Sequence, residues 1–269
     1  MPLAVCATPI GNLDDITLRV LAELREADLV LCEDTRRTRV LLARHGIDAR
    51  LLSYHRHNEA ARAEEILSRL RRGERVALVS DAGLPGVNDP GSRLIAAALA
   101  HDLPVTVLPG ASAVETALVA SGLAGERYQF VGYLPRRAGE LRELAHELAR
   151  WPGAVLAFES PRRLSRSLAV LAEELPGRQA AVCRELTKRF EEVERGTLEE
   201  LAERFSQPPR GEVTLVLGPV AAGEPGAELA GALAAVSELV AAGASRRTAA
   251  DVVARLTGTS RNDLYRLSL

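Results

Sequence analysis

The sequence predicts an α/β protein: a mostly parallel open sheet in the first half, a mixed sheet in the second, and a small helical C-terminal tail. Three observations carry this prediction. Short apolar runs of the kind that form buried strands alternate with helical stretches through residues 1–122. The loops leaving those strands are rich in glycine and proline, most of all SDAGLPGVNDPG at Ser80–Gly91. After a break at Gly122–Arg127 the strands resume. The charged segment VERG at Val193–Gly196 then reads as a hairpin-like edge, which adds an antiparallel component. The expected domains are residues 1–122, residues 123–218 and a helical extension over residues 229–269.

The elements follow in order. Leu3–Ala7 is a buried strand; TPIGNL follows it, and Asp14 or Asp15 caps a helix reaching Glu26. Asp28–Cys32 is a strand that ends in EDTRRTR, two acids and three arginines at a strand tip, before a helix to Arg44. Leu51–Tyr54 is a short strand leading into His55-Arg56-His57-Asn58-Glu59. Two histidines two apart, with no third ligand at a suitable spacing, make no metal site. A helix over Glu59–Arg72 precedes the buried strand Val76–Val79. Asp81 is the only charge at that strand's end, which suits a cation or a sugar hydroxyl. Glycines in the loop let a ligand approach the backbone, and the helix after it, with Asp89 or Ser92 as cap, favours an anionic group. Strand Val105–Leu108 runs through PGASA into a helix over Val114–Ser121.

The second half repeats the pattern. Tyr128–Leu134 is a strand followed by PRR and a helix to Arg150. Ala154–Glu159 is a buried strand ending in an acid, with Ser160-Pro161 opening a helix to Leu175. Ala180–Cys183 is a strand running into RELTKR. The strand Glu191–Gly196, a helix over Leu198–Phe205 and the strand Arg210–Leu217 complete it. Residues 219–228 read as a linker, followed by three helices capped by residues such as Ser245 and Thr259. Those helices have the length and turn of a helix-turn-helix.

Composition narrows the function classes. Hydrophobic residues make up 47% and aromatics 3%, so the core is aliphatic. Thirty-four basic against 36 acidic side chains leave a net charge of −2, which argues against non-specific coating of nucleic acid but not against a local basic patch. Lys188 is the only lysine. Cys6, Cys32 and Cys183 lie in apolar runs without zinc spacing and read as buried hydrophobes. No leader pattern and no bilayer-spanning run is evident, so a cytoplasmic protein without membrane or metal partners is expected.

The motifs together resemble the class III, tetrapyrrole-methylase-like S-adenosylmethionine methyltransferases. The carrying stretches are ATPIGNLDDIT (Ala7–Thr17), LCEDTRRT (Leu31–Thr38), YHRHNE (Tyr54–Glu59), LVSDAGLPGVNDPG (Leu78–Gly91) and LPGASA (Leu108–Ala113). They continue with GYLPRR (Gly132–Arg137), FESPRRL (Phe158–Leu164), RELTK (Arg184–Lys188), RGEVTLVL (Arg210–Leu217) and the RNDLYRLSL ending. Within that class the likeness is to enzymes that methylate a cytidine 2′-hydroxyl in 16S ribosomal RNA of the small subunit. The resemblance implies a homodimer and a cleft for S-adenosyl-L-methionine. Its family contacts carry over to Pro9, Asp81, Gly83, Leu84, Ser112, Ala113, Phe158, Glu212 and Val213. Glu185, Lys188 and Glu159, with Asp34, are the candidate catalytic groups. A neutral Lys188 base would need desolvation or a nearby arginine to lower its pKa, and Lys188 sits between Arg184 and Arg189. Arg36, Arg37, Arg136, Arg137, Arg162 and Arg163, with Arg39 and Arg166, follow strand ends and can rim one cleft to grip RNA. Family members often carry lysines on that surface, and here arginine replaces all but one. Two other readings compete: a same-class enzyme acting on a tetrapyrrole or other small molecule, and a DNA-binding regulator using the C-terminal helices.

Overall fold

The computed structural model describes residues 3–220 and 227–268. Residues 1–220 form one compact unit and residues 221–269 a second. Most of the expected linker at 219–228 lies outside the described residues.

The first sheet holds β1 (Leu3–Cys6), β2 (Leu29–Cys32), β3 (Leu51–Ser53), β4 (Val76–Val79) and β5 (Val105–Leu108) in the order β3-β2-β4-β1-β5, all parallel. Its central strands are apolar at every position because both faces are covered. Ala4, Cys6, Val30, Cys32, Ala77 and Val79 meet α1 (Leu18–Glu26) and α2 (Thr35–Arg44). Leu3, Leu29, Leu31, Val76 and Leu78 meet α3 (Glu59–Arg71) and α4 (Ser92–Ala100) on the other face. Two expected caps differ. Thr17, not Asp14 or Asp15, caps α1 by accepting the Val20 N–H at 3.2 Å, while Asp14 is held by Arg44. Gly91, with φ 128°, caps α4 in place of Asp89 or Ser92. A Cβ there would sit 2.7 Å from Leu78 Cδ2, so only glycine fits.

The strand order creates a switch point. The chain leaves β1 toward β2 on one side of the sheet and leaves β4 toward β5 on the other, so a crevice opens between the ends of β1 and β4. The two loops that flank it are clasped. Thr8 N–H donates to Gly83 O at 2.8 Å, Gly83 N–H returns a bond to Thr8 O at 3.0 Å, and buried Thr8 Oγ1 donates to Ser80 O at 3.0 Å.

The second sheet has the order β6-β7-β10-β8-β9, from β6 (Tyr128–Tyr133), β7 (Ala154–Glu159), β8 (Gln179–Arg184), β9 (Glu192–Thr197) and β10 (Val213–Leu217). Only β6 and β7 pair in parallel, so the sheet is mixed, as the sequence predicts. One face carries α6 (Ala138–Leu148), α7 (Pro161–Glu174) and α8 (Leu198–Arg204). The other face is covered by α5 (Ala113–Ser121), through Val114, Ala117 and Leu118, and by Ile10 of the loop after β1. α5 thus precedes the expected boundary at Gly122–Arg127 in sequence yet packs on the second sheet.

The second unit is three helices, α9 (Ala227–Ala241), α10 (Arg246–Thr257) and α11 (Arg261–Leu267), closed over Val236, Ala249, Ala250, Val253 and Leu264. Ser245 caps α10 as expected; Ser260 rather than Thr259 caps α11, the Thr259 hydroxyl being engaged by Thr257.

Thr8→Val keeps the shape of this side chain but leaves the Ser80 carbonyl without its donor. A loss of about 1–2 kcal/mol in urea unfolding is expected, with an unchanged m-value.

Candidate functional site

The switch-point crevice opens into a cavity of about 870 Å³, within the size range of small-molecule sites. Its floor is the loop after β4, with Asp81, Gly83, Leu84, Asn88 and Asp89. One wall is the start of α5, with Ser112 and Ala113. The facing wall comes from the second sheet, with Phe158, Glu159, Glu212 and Val213. A smaller cavity of about 290 Å³ adjoins it, lined by Thr8, Pro9, Gly11, Thr38, Leu41 and Lys188 among others. The two share Ile10, Arg37, Asp81, Ala82 and Glu212. All the residues expected to hold a cofactor therefore converge here: Pro9 lines the smaller chamber, the others the larger.

The α5 terminus suits an acceptor atom. Ser112 is the N-cap residue, but its hydroxyl donates to Glu115 instead of accepting a helix N–H, and in the first turn the Glu115 carboxylate takes its own N–H. Glu115 also accepts from the Tyr128 hydroxyl at 2.8 Å; burial raises its pKa, but the two hydroxyls and that N–H outweigh it and leave it lowered.

Aromatic residues are scarce, yet Tyr128, Phe130, Tyr133 and Phe158 line this cavity, half of the chain's four tyrosines and four phenylalanines. Phe130 and Tyr133 pack edge-on against Phe158 at 4.9 and 5.6 Å between ring centroids. A register shift between Phe130 and Tyr133, at Gly132, re-aims the strand there.

Asp81 accepts the Asp34 N–H at 3.0 Å and lies 3.4 Å from the Arg37 guanidinium. Asp34 itself caps α2 and takes Arg36 through two bonds of 3.0 and 2.7 Å, which holds its carboxyl down at about 2.

The RELTK segment is built as a clamp. Glu185 and Thr187 hold left-handed φ of 51° and 66°. Glu185 Oε1 accepts the Glu212 N–H at 2.8 Å and Lys188 Nζ at 2.9 Å, and Lys188 Nζ also reaches Glu212 Oε2 at 2.8 Å. These two donors lower the Glu185 pKa, the Glu212 N–H contributing most. The segment closes on the loop after β1: Thr187 Oγ1 accepts the Asn12 N–H at 3.0 Å, and a Cβ at Gly11 would meet Lys188 Cγ at 2.5 Å. Burial acts to lower the Lys188 pKa, but the Glu212 and Glu185 carboxylates outweigh it and leave it raised. The neutral lysine that the sequence reading required is thus disfavoured, because two carboxylates face the ammonium and Arg184 is occupied by Glu192.

Glu159 and Arg163 also differ from expectation. The Glu159 carboxylate is fully buried, paired with Arg163 at 2.5 Å and hydrogen-bonded by Ser160 N–H and the Ser167 hydroxyl. Arg163 in turn donates to Leu134 O at 3.2 Å. The pair fixes the β7–α7 turn and leaves neither group free for a substrate. Of the other arginines, Arg36 and Arg137 are exposed but tied to Asp34 and Glu140, and Arg37 lines both cavities. Arg136 and Arg162 are exposed and make no ion pair among the described residues. Sequence reading missed Asp89, Glu115, Tyr128, Phe130 and Tyr133. Among the described residues no cluster of three or more His, Cys, Asp or Glu could hold a metal, and no helix is long and apolar enough to cross a membrane.

Comparison with known proteins agrees with this architecture. The chain is 47% identical over 169 residues to a ribosomal RNA small subunit methyltransferase I of Mesorhizobium japonicum, a match covering 63% of this chain and 58% of the relative. It is 49% identical to one of Micromonospora olivasterospora (63% and 54%) and 45% identical to one of Thermotoga maritima (62% and 74%). The matches thus span little more than half the length of the first two relatives. Among solved structures, the methyltransferase CobJ superposes with a TM-score of 0.63 at 24% identity, covering 81% of this chain and 94% of that one. A uroporphyrin-III C-methyltransferase from Thermus thermophilus, complexed with S-adenosylhomocysteine, superposes at 0.56 and 22% identity, covering 81% and 97%. At these identities the structural likeness speaks for the fold alone. The model of the tetrapyrrole (corrin/porphyrin) methylases matches residues 2–202, which take in the first sheet with its clasped loops and the second sheet except β10, and the chain belongs to that family.

Proposed function

We propose that this chain is an S-adenosylmethionine-dependent methyltransferase acting on the 2′-hydroxyl of a cytidine in 16S ribosomal RNA of the small subunit. The observation that carries the proposal is a cavity of cofactor size, with Arg37 in its lining, in a chain that matches several proteins named for small-subunit RNA methylation. None of those relatives is named for a small-molecule substrate. A DNA-binding regulator would leave the cavity without a purpose.

The residues present fit the cofactor. The uncapped N–H groups at Ser112-Ala113 suit its carboxylate, Asp81 and Glu115 suit its ammonium and ribose hydroxyls, and Phe130, Tyr133 and Phe158 offer an apolar wall to its adenine. Pro9, Gly83, Leu84, Glu212 and Val213 complete the enclosure. When bound, S-adenosylmethionine supplies an electrophilic methyl carbon. The protein's part is to hold the acceptor oxygen against it, a placement that can contribute ~7–11 kcal/mol. Lys188, kept cationic by Glu185 and Glu212, ties the RELTK turn to the start of β10 beside the smaller chamber. Glu185 positions that lysine. Glu159 and Arg163 act as structure. Arg36, Arg37, Arg136, Arg137 and Arg162 grip the RNA, and the working form is a homodimer, as the family resemblance implies.

Incubation with methyl-labelled cofactor and undermethylated small ribosomal subunits should place label on a cytidine ribose of 16S RNA. Label confined to small molecules, or none, would end the proposal.

Lys188→Met should lower stability by ~1–2 kcal/mol, since it removes the cation that Glu185 and Glu212 share. The single-turnover rate at saturating subunits should change by less than about tenfold; a larger fall would restore a proton-transfer role. Removing charge at Arg37, Arg136 and Arg162 together should flatten the salt dependence of subunit binding, each lost phosphate contact reducing the log–log slope by roughly 0.7–0.9.

A further inference from the structure

The carboxylates lining the larger cavity are Asp81, Asp89, Glu115, Glu159 and Glu212. All but Asp89 have partners that stabilise their charge. Asp81 has a backbone N–H and Arg37, Glu115 two hydroxyls, Glu159 Arg163 and two further donors, and Glu212 Lys188. Asp89 makes no ion pair among the described residues. Its hydrogen-bonding neighbour is the Ser80 hydroxyl, which itself donates to the Ala82 and Gly83 carbonyls. Arg56, the nearest cation, is committed to the Asn88 carbonyl. A half-buried carboxylate left in this state beside a cavity is poised to accept a proton.

We propose that Asp89 is the general base of the methyl transfer, taking the proton of the acceptor hydroxyl. The inference rests on the function proposed above. The step balances within the site: the acceptor oxygen bonds to the methyl carbon, the methyl–sulfur bond breaks with its electron pair returning to sulfur, and the hydroxyl proton passes to an Asp89 carboxylate oxygen. The charged neighbours of Asp89 come from every strand end around it. They are Glu33 after β2, Arg56 after β3 and Asp81 after β4, and Tyr133 of β6 lines the same cavity. Burial first, then Glu33 and Asp81, push its pKa up to about 6 against the pull of Arg56, close to the range in which a base is both deprotonated and strong enough near neutrality. The sign for stability follows. A carboxyl with a folded pKa above its unfolded value opposes folding once ionised, so this contribution to stability falls as pH rises from about 4 to about 6 and is constant above.

The test compares wild type with Asp89→Asn in single-turnover methylation of undermethylated small ribosomal subunits between about pH 5 and pH 8, with calorimetric binding of S-adenosylhomocysteine as a second readout. The wild-type rate should climb to a plateau above about pH 6. The variant should be at least about 100-fold slower, without that climb. Its affinity for S-adenosylhomocysteine should stay within about twofold, and its melting temperature should gain on wild type as pH rises through the same window. An unchanged rate or pH profile in the variant, or loss of S-adenosylhomocysteine binding, would overturn the assignment of Asp89 alone. Wild type that labels no ribosomal RNA would overturn the proposed function and this step with it.

Discussion

The clasp between Thr8 and Gly83 is the constraint on which the rest of the site depends. Two strands whose crossovers run in opposite directions leave a crevice at their ends, and crevices of this kind admit ligands because no chain crosses them. Left alone, two glycine-rich loops would be mobile. Here a reciprocal pair of backbone bonds and the Thr8 hydroxyl on Ser80 O hold them in register, so that Asp81 stands at the junction of two chambers. The rigid part of the site is thus made from backbone, and side chains are free to carry charge.

The second sheet completes the cavity by reaching back over that clasp. α5 follows the last strand of the first sheet but buries its apolar side against the second, and Ile10, two residues past Thr8, joins the same core. The RELTK clamp adds a polar link, with Thr187 on Asn12 and Lys188 packed over Gly11. Left-handed backbone at Glu185 and Thr187 costs on the order of 1 kcal/mol each, and the hydrogen bonds on both sides of the turn hold it in place. Packing and polar contacts therefore fix the same relation between the two sheets, which explains why residues 1–220 behave as one unit although the chain contains two sheets.

Much of this was legible in the sequence, for a physical reason. Glycine and proline dictate local backbone, so SDAGLPGVNDPG could be read as a ligand loop with Asp81 at its root. Buried parallel strands are apolar at every position, so their order along the chain was plain. What could not be read depends on partners far apart in sequence. Nothing in RELTK reveals that Glu212, 24 residues on, joins Glu185 in facing Lys188. Glu159 looked like an acid at a strand end and proved to be the buried partner of Arg163. Phe130 and Tyr133 looked like ordinary strand residues, and only the register shift at Gly132 turns them onto the cavity wall. Asp89 was legible only as a helix cap, and Gly91 took that role because Leu78 leaves no room for a side chain.

The distribution of charge gives these features a common sense. Under the proposed function, a sulfonium donor would bring a positive charge into a cavity walled by carboxylates, and a low-dielectric wall magnifies any charge left unmatched. Pairing Glu159, Glu212 and Asp81 with cations keeps that wall from becoming a cation trap that would bind a sulfonium donor tightly and do nothing for the transfer. The unmatched carboxylate at Asp89 has the opposite effect. In the proposed transfer its negative charge would be lost to a proton while the donor's positive charge disappears, so two charges that are costly to bury would vanish together. A site with few waters and prearranged dipoles favours a charge-cancelling step over the same step in water, where both ions are well solvated. On this reading the enclosure by α5 and the aromatic wall is part of the chemistry, because it raises the cost of the charged ground state that the reaction removes.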